Sequence, residues 1–278
     1  MTSRKAVIQV SAVLTYVLLF SGLIIMVMPF YWALITSVKL PSETVTYPIK
    51  WIPSRITFMH FQKAWHARFP VYYRNSTIVA VLVVLGNVLS STLAGFIFAK
   101  YDFPLKKALF LMVLSTMMIP FAVVLIPVYM IVAVLLRLRD TLWALIIPAL
   151  ISPFGIFLMR QFSETIPDEL LDAARIDGAG DLRVFWQIVL PLCGPAISAL
   201  AIFHFIGIWN DFLWPLMVTD SDRSRTLPIG VALFAFQRWQ QHNLVVAASV
   251  LVLLPMVAIY LIFQRAFVQG IVLTGLKY

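Results

Sequence analysis

"NSTIVAVLVVLGNVLSSTLAGFIFA" (Asn75–Ala99) carries no ionisable side chain from its first residue to its last. A helix crossing the hydrocarbon of a bilayer needs about 20 consecutive apolar residues, and this stretch exceeds that. Arg74 and Lys100 bracket it. Placing such a group at the bilayer centre costs about 2.5–3.5 kcal/mol on insertion scales, so charges mark where a span must stop. The same pattern recurs in Ala6–Val38, Ala108–Leu136, Thr141–Met159, Val184–Asn210 and Trp239–Gln264, which are free of Asp, Glu, Lys and Arg. Trimming these runs predicts an all-α polytopic membrane protein with six transmembrane helices, at about 11–38, 74–99, 108–136, 141–160, 192–217 and 244–265. They form a single transmembrane domain over residues 1–278, with a loop at 39–73 between the first two spans and a polar loop at 161–191 between the fourth and fifth.

Composition agrees. Hydrophobic residues make up 62% of the chain and charged residues 12%, whereas soluble domains carry about 45–50% and about 25%. The net charge of +9 does not point to nucleic acid. The Lys and Arg residues are scattered singly between apolar runs, with no basic face to follow a phosphate backbone; they read as loop charges beside anionic lipid. Arg4 and Lys5 precede a run far longer than a signal-peptide core of about 7–15 residues, with no small-residue cleavage site, so the first run reads as a retained span. Cys193 is the sole cysteine, which excludes an internal disulfide and a CxxC pair. Pro29, Pro120, Pro127 and Pro148 fall inside spans, where kinks are tolerated. Basic residues divide almost evenly between the two sets of loops, so the positive-inside rule leaves the orientation open.

One stretch breaks the apolar pattern: "LLDAARIDGAGDLRVFWQIVLPL" (Leu170–Leu192). Upstream, Thr165 or Glu164 can cap a helix, Pro167 suits its first turn, and Asp168 and Glu169 complement the positive end of its dipole. The helix runs to about Ile176, where Asp177-Gly178 supplies a left-handed stop. Leu170, Leu171 and Ala174 share a face by their spacing, widened by Ala173. Helices that rest on lipid headgroups carry Lys or Arg on the polar face; this one carries Asp168, Glu169, Asp172 and Asp177 against Arg175. An anionic leaflet repels such a surface, so the expected contact is another protein.

These residues resemble the cytoplasmic coupling loop of ABC-importer permeases, whose pattern is Glu-Ala-Ala, three residues, Gly, nine residues, then an apolar residue before Leu-Pro. Ala173, Ala174, Gly178, Ile188, Leu190 and Pro191 fall on it, with Asp172 where the family usually has Glu. "AGFIFAKYDFPLKKALF", "MMIPFAVVLIPVY", "GIFLMRQF", "WNDFLWPL" and "FQRAFVQGIVLTG" resemble the sugar-uptake branch, in particular the smaller permease of maltose-type and glycerol-phosphate-type importers; the tail "TGLKY" departs from it. The resemblance implies a permease of a bacterial inner membrane with both termini cytoplasmic and residues 39–73 periplasmic. It also implies four partners besides lipid: a homologous second permease, two ATP-binding subunits and a periplasmic solute-binding protein. By the same likeness Glu169, Asp172, Ala173, Ala174, Asp177, Gly178, Ala179, Leu190 and Pro191 couple the chain to the ATPase, and the helix Pro167–Ile176 acts as a lever.

No GxxxxGK[ST] loop is present to cradle ATP, nor HExxH, GxSxG or a Cys/His cluster; ATP and Mg are expected in the partner ATPase, with no cofactor, metal or catalytic residue in this chain. "WNDFLW" supplies a candidate for the translocation path or for contact with the binding protein: Trp209, Asn210, Asp211 and Trp214. An Asn-Asp pair so close to an apolar run needs a function or a packing partner. Asn87 and His204 are expected to make interhelical hydrogen bonds. The alternative reading is an ion-coupled carrier or channel for a small solute; no Asp, Glu, Lys or Arg lies mid-span to relay an ion.

Overall fold

The structure, a computed structural model, describes the backbone of residues 2–275 and the side chains of residues 12–262. The side chains of Arg4, Lys5 and Arg265, and Lys277 in the atypical tail, lie outside the described residues. All regular structure among the described residues is helical. The first helices are α1 (Thr2–Val38), α2 (Met59–His66), α3 (Phe69–Lys100), α4 (Lys106–Thr116) and α5 (Phe121–Tyr129). Next come α6 (Trp143–Ile146), α7 (Pro153–Ser163), α8 (Asp168–Ile176), α9 (Asp181–Val184) and α10 (Leu190–Leu192). The last are α11 (Gly194–Trp209), α12 (Leu213–Val218), α13 (Leu227–Gln237) and α14 (His242–Gly275).

The helices α1, α3 and α14 each contain a stretch long and apolar enough to cross a membrane, and three bent pairs bring the spans to six if each pair counts as one. The expected third span is α4 and α5, bent by 97° where Pro120, one of the prolines read as a tolerated kink, begins the second arm; α5 then passes into π-helical turns at Met130–Leu135. The fourth is α6 with a 3-10 turn at Ile147–Ala149, bent by 40° against α7. The fifth begins earlier than residue 192: Asp181–Leu192 and Gly194–Trp209 meet at 76°, where Pro191 and Pro195 flank the turn at Cys193. Proline removes an amide donor and clashes with the preceding turn, which bends a helix wherever neighbours resatisfy the backbone. The fifth span also ends sooner than residue 217, because Asn210 and Asp211 turn the chain before α12. The second span starts at Phe69, not residue 74, with Arg68 left-handed at its head (φ 66°). The helix α13 is too short and too close to charges for the charge-free-run criterion to have found it.

The chain forms two compact units, Met1–Ala67 with Val231–Leu253 and Arg68–Gly230 with Leu254–Tyr278. In the first, α1 turns nearly all its described apolar side chains outward, as a helix facing lipid does. Its end is stapled by Asn243 at the head of α14, whose amide donates to the carbonyls of Thr36 (3.2 Å) and Lys39 (2.9 Å). The buried Lys39 ammonium lies 4.3 Å from the Trp32 ring centroid and donates to the Lys50 carbonyl. A desolvated cation is costly, and these two partners compensate it.

The second unit is built on α3, which packs on α7 and α11. Small residues set the approach. A Cβ on Gly95 would sit 2.6 Å from the Arg160 backbone nitrogen and 2.7 Å from the Met159 carbonyl carbon. A Cβ on Gly155 would collide still more closely with the Ser91 hydroxyl. Without a hydrophobic force between helices in lipid, such close packing is what holds spans together. Two apolar clusters follow along α3. Val79 and Val83 meet Val132, Leu145 and Trp214 towards its start, and Phe96 meets Met159, Leu171, Val184, Phe185 and Leu200 towards its end.

Candidate functional site

The polar helix forms where the sequence placed it, as α8. Pro167 stands at its N-cap without a side-chain bond, so the expected caps do not operate: Thr165 donates to the Phe162 carbonyl at 2.7 Å and Glu164 pairs with Arg160 at 2.7 Å, both turned back onto α7. At the other end Gly178 has φ +84°, a conformation that glycine adopts without a Cβ penalty. The Ala179 amide donates to the Ala174 carbonyl (2.9 Å), closing the left-handed stop.

The expected single apolar face is divided. Leu171 is 2% exposed and enters the Phe96–Val184 cluster, with Ala174 and Ala179 packed beside it. Leu170, Ala173 and Ile176 point away from the protein, Ile176 at 85% exposure. An α-helix places residues three and four apart side by side, so Glu169, Leu170, Ala173, Ile176 and Asp177 form one outward stripe while Leu171 and Ala174 anchor the opposite side. The helix Asp168–Ile176 is thus held from behind and presented in front. Leu190 is half-buried against the same cluster and Pro191 is exposed.

Residues outside the sequence pattern clamp both ends of α8. The Lys100 side chain, 8% exposed, donates from Nζ to the Ile166 carbonyl (2.5 Å) and to Asp168 Oδ1 (2.7 Å). The neighbouring Tyr101 hydroxyl donates to Asp181 Oδ1 at 2.7 Å. Arg175 reaches that hydroxyl (3.5 Å), Asp172 (3.2 Å) and Asp181 (3.6 Å), and lies 5.7 Å from the Tyr101 ring centroid. Burial and the bond to Asp181 push the Tyr101 phenol up; the bond to Tyr101 and nearby Asp172 and Asp181 push Arg175 up. Consecutive residues at the end of α3 therefore grip the two ends of α8. A polar cavity of about 450 Å³, lined by Lys100, Lys106, Glu164, Asp172 and Arg175 among others, opens beside the clamp. The sequence marks Lys100 only as the charge that ends a span, and nothing local pairs it or Tyr101 with α8, because their partners lie more than sixty residues away.

The second candidate group is differently placed from expectation. Trp209 and Trp214 are buried: Trp209 stacks on Phe205 at 5.3 Å, and Trp214 Nε1 donates to the Ala144 carbonyl at 3.0 Å. Both rings are packing elements here. Asn210 donates to the Ile206 carbonyl (2.9 Å), and Asp211 Oδ1 accepts the Trp214 amide (3.4 Å), so the pair ends one helix and starts another. Asn87, wholly buried, accepts from Ser91 on its own helix (3.3 Å), and its amide nitrogen has no hydrogen-bond partner. The interhelical bond in this region is made instead by Ser90, which donates to the Leu150 carbonyl at 2.8 Å. The half-buried His204 makes no hydrogen bond among the described residues.

At the opposite end of α3 lies a second dense polar group that sequence reasoning missed. Asp140 accepts the amides of Asp220 and Ser221, each at 2.9 Å, and the Ser224 hydroxyl. Burial raises the Asp140 carboxyl, but these three donors outweigh it and hold the group well below the usual carboxylate range. Asn75 donates to the carbonyls of Arg223 and Arg225, both at 2.9 Å. The Tyr72 hydroxyl donates to Asp222 (2.7 Å), which also pairs with Arg68 (2.9 Å) and Arg225 (3.3 Å); the Tyr72 bond and these cations hold Asp222 low. Among the described residues no group of three or more His, Cys, Asp or Glu side chains is placed to hold a metal ion.

Residues 91–273 match the family model described as binding-protein-dependent transport system inner membrane component. The chain is 37% identical over 206 residues, 74% of each chain, to the arabinooligosaccharides transport system permease protein AraQ of Halalkalibacterium halodurans. It is 34% identical over 92% of its length to the sn-glycerol-3-phosphate transport system permease protein UgpE of Yersinia enterocolitica, of which it covers 94%. In fold it is similar to a chain of a bacterial ABC transporter involved in the import of the acidic polysaccharide alginate, with a TM-score of 0.84 at 21% identity over 93% of this chain and 97% of that one.

Proposed function

Because the chain belongs to the inner-membrane components of binding-protein-dependent transport systems, we propose that it forms half of the translocation pathway of an ATP-driven importer for a carbohydrate or related polyol. In this reading a homologous permease forms the other half, two ATP-binding subunits hold ATP and Mg, and a periplasmic protein delivers the solute. Both termini and α8 face the cytoplasm, and residues 39–73 the periplasm. The importers named for AraQ and UgpE supply the substrate class. The observation that carries the proposal is the exposed stripe of Leu170, Ala173 and Ile176 flanked by Glu169 and Asp177, on a helix whose other side is anchored. An exposed apolar strip rimmed by acids is a docking surface for a protein, not for an anionic leaflet.

The two-ended clamp gives the stroke a route. When the ATPase moves α8, Lys100 and Tyr101 carry the displacement into α3, and the apolar contacts of Leu171 and Val184 carry it into α7 and α11. Solute passage is thereby coupled to a span that is not adjacent to α8 in sequence. A photo-crosslinker at Ala173 in native membranes tests the docking surface. The expected product is an adduct with a nucleotide-hydrolysing subunit, and adducts with phospholipid alone would refute the proposal. Ala174 is the wrong position for the probe, since it faces inward.

A further inference from the structure

The first unit contains a cavity that the transport reading leaves unused. About 490 Å³ in volume, it is lined by Lys63, His66 and Arg238 over an apolar floor of Phe234 and Leu244, and no acidic side chain lines it. Lys63 and His66 lie one helical turn apart on α2 and therefore share a face. Neither Lys63 nor Arg238 has a carboxylate partner among the described residues, in contrast to Lys50, Arg139, Arg175 and Arg225.

Its depth follows from the spans. Arg238 stands four residues before the head of α14, and Asn243 ties that head to the last turn of α1. The cavity thus lies where two spans leave the hydrocarbon. Trp65 and Trp239, the neighbours of His66 and Arg238, are 44% and 67% exposed, and indole rings collect at headgroup level.

We propose that this cavity binds a phosphate group, supplied by the headgroup of an anionic phospholipid, with Lys63 and Arg238 as the counter-charges and His66 as a further hydrogen-bond partner. The floor of Phe234 and Leu244 would meet the first methylenes of the acyl chains. A basic side chain near an anionic surface contributes about fivefold to affinity, so the two permanent cations together select an anionic lipid over a zwitterionic one.

The test uses the full chain, purified in mild detergent and offered mixed micelles of phosphatidylglycerol and phosphatidylcholine, with retained lipid counted by native mass spectrometry. Wild-type protein is expected to retain phosphatidylglycerol, and Lys63→Gln and Arg238→Gln to weaken retention about fivefold each. Arg55→Gln, an exposed loop cation away from the cavity, is expected to leave it unchanged. Inorganic phosphate and glycerol phosphate form the second arm. Displacement of the lipid by either at matched phosphate concentration supports the phosphate site but assigns it a soluble source; failure to displace supports the lipid headgroup. Equal retention by all variants, or an equal loss in Arg55→Gln, would overturn the proposal. Unchanged thermal unfolding of the variants shows that lost retention is not lost fold, and since no ATPase enters the assay the result is independent of the transport reading.

Discussion

The two ends of α3 are held in opposite ways. At its start, Tyr72, Asn75 and Ser76 reach into the 219–227 loop with hydrogen bonds to a carboxylate, two backbone carbonyls and a backbone amide, and Asp140 fastens the same loop from the other side. At its end, Lys100 bonds the head of α8 and Tyr101 bonds Asp181 just beyond its tail, Leu171 packs between them, and the stripe on the opposite side of α8 is exposed. They sit at the two ends of a helix of 32 residues, about 48 Å long at the α-helical rise. A densely satisfied loop is a fixed point, because moving it breaks many bonds at once. A helix gripped at two points and bare on one side can be displaced as a body. The difference leaves α3 densely bonded at one end and lightly held at the other, and in the proposed function the second end is the one that is driven.

The comparison fails most severely if the rod separates from its bearing. A Cβ on Gly95 would sit inside van der Waals distance of the α7 backbone, so Gly95→Ala must push the helices apart. A cost of about 3 kcal/mol is expected, at the upper end for overpacking since backbone cannot rotate away, measured as lowered thermal stability in detergent. An unchanged melting temperature would show that α3 is not seated on α7.

The fixed end responds next. Asp140→Asn keeps the shape of the side chain but removes the charge that three donors share, for about 2 kcal/mol. Faster tryptic cleavage at Arg223 and Arg225 is the expected readout. The pH dependence has a definite sign. Asp140 and Asp222 titrate lower in the folded chain than when unfolded, so their contribution is complete above the unfolded value of about 3.9 and is lost as pH falls below it. Stability should therefore fall through that acidic range, less steeply in Asp140→Asn. A flat profile would mean that the loop is held by other means.

How much of this was legible follows from how far each signal reaches along the chain. The apolar runs announced the spans and their number because length and charge are local properties. The stop at Gly178 was legible for the same reason: Asp-Gly after an apolar helix needs no distant partner. The bends were not, since proline tells where a helix can break but the 97° and 76° turns depend on neighbouring helices. Trp209 and Trp214 looked like solute or interface residues because an indole is equally suited to a core. Only the ring packing on Phe205 and the bond to Ala144 distinguish the cases. The Lys100–Asp168 and Asp140–Ser224 links join residues 68 and 84 positions apart, and no periodicity encodes them.

The driven end should show its character in coupling rather than in stability. Lys100→Met retains the stem of the side chain but frees the head of α8. Basal ATPase of the reconstituted importer is expected to persist, with solute-stimulated activity falling at least about tenfold, since two charge-assisted hydrogen bonds are lost. A Cβ added at Gly178 meets no atom within 4 Å, so the main cost of Gly178→Asp is the left-handed backbone, about 1 kcal/mol. It should insert normally and lose about fivefold in stimulation. If Lys100→Met instead lowered thermal stability and left stimulation intact, the clamp would be a structural tie and the route through α3 would be wrong.

The smallest effect discriminates between a clamp and a surface contact. Arg139 and Asp220 meet at 2.8 Å, as closely as Lys100 and Asp168 at 2.7 Å, yet the Arg139 pair is 56% and 54% exposed whereas Lys100 is 8% exposed. Water and salt screen the first pair, so Arg139→Gln should leave both thermal stability and stimulation unchanged. Distance alone would rank the two substitutions equal. Burial of one partner ranks them an order of magnitude apart, and measuring both in the same membranes decides whether desolvation, rather than proximity, makes the end of α3 a transmitting joint.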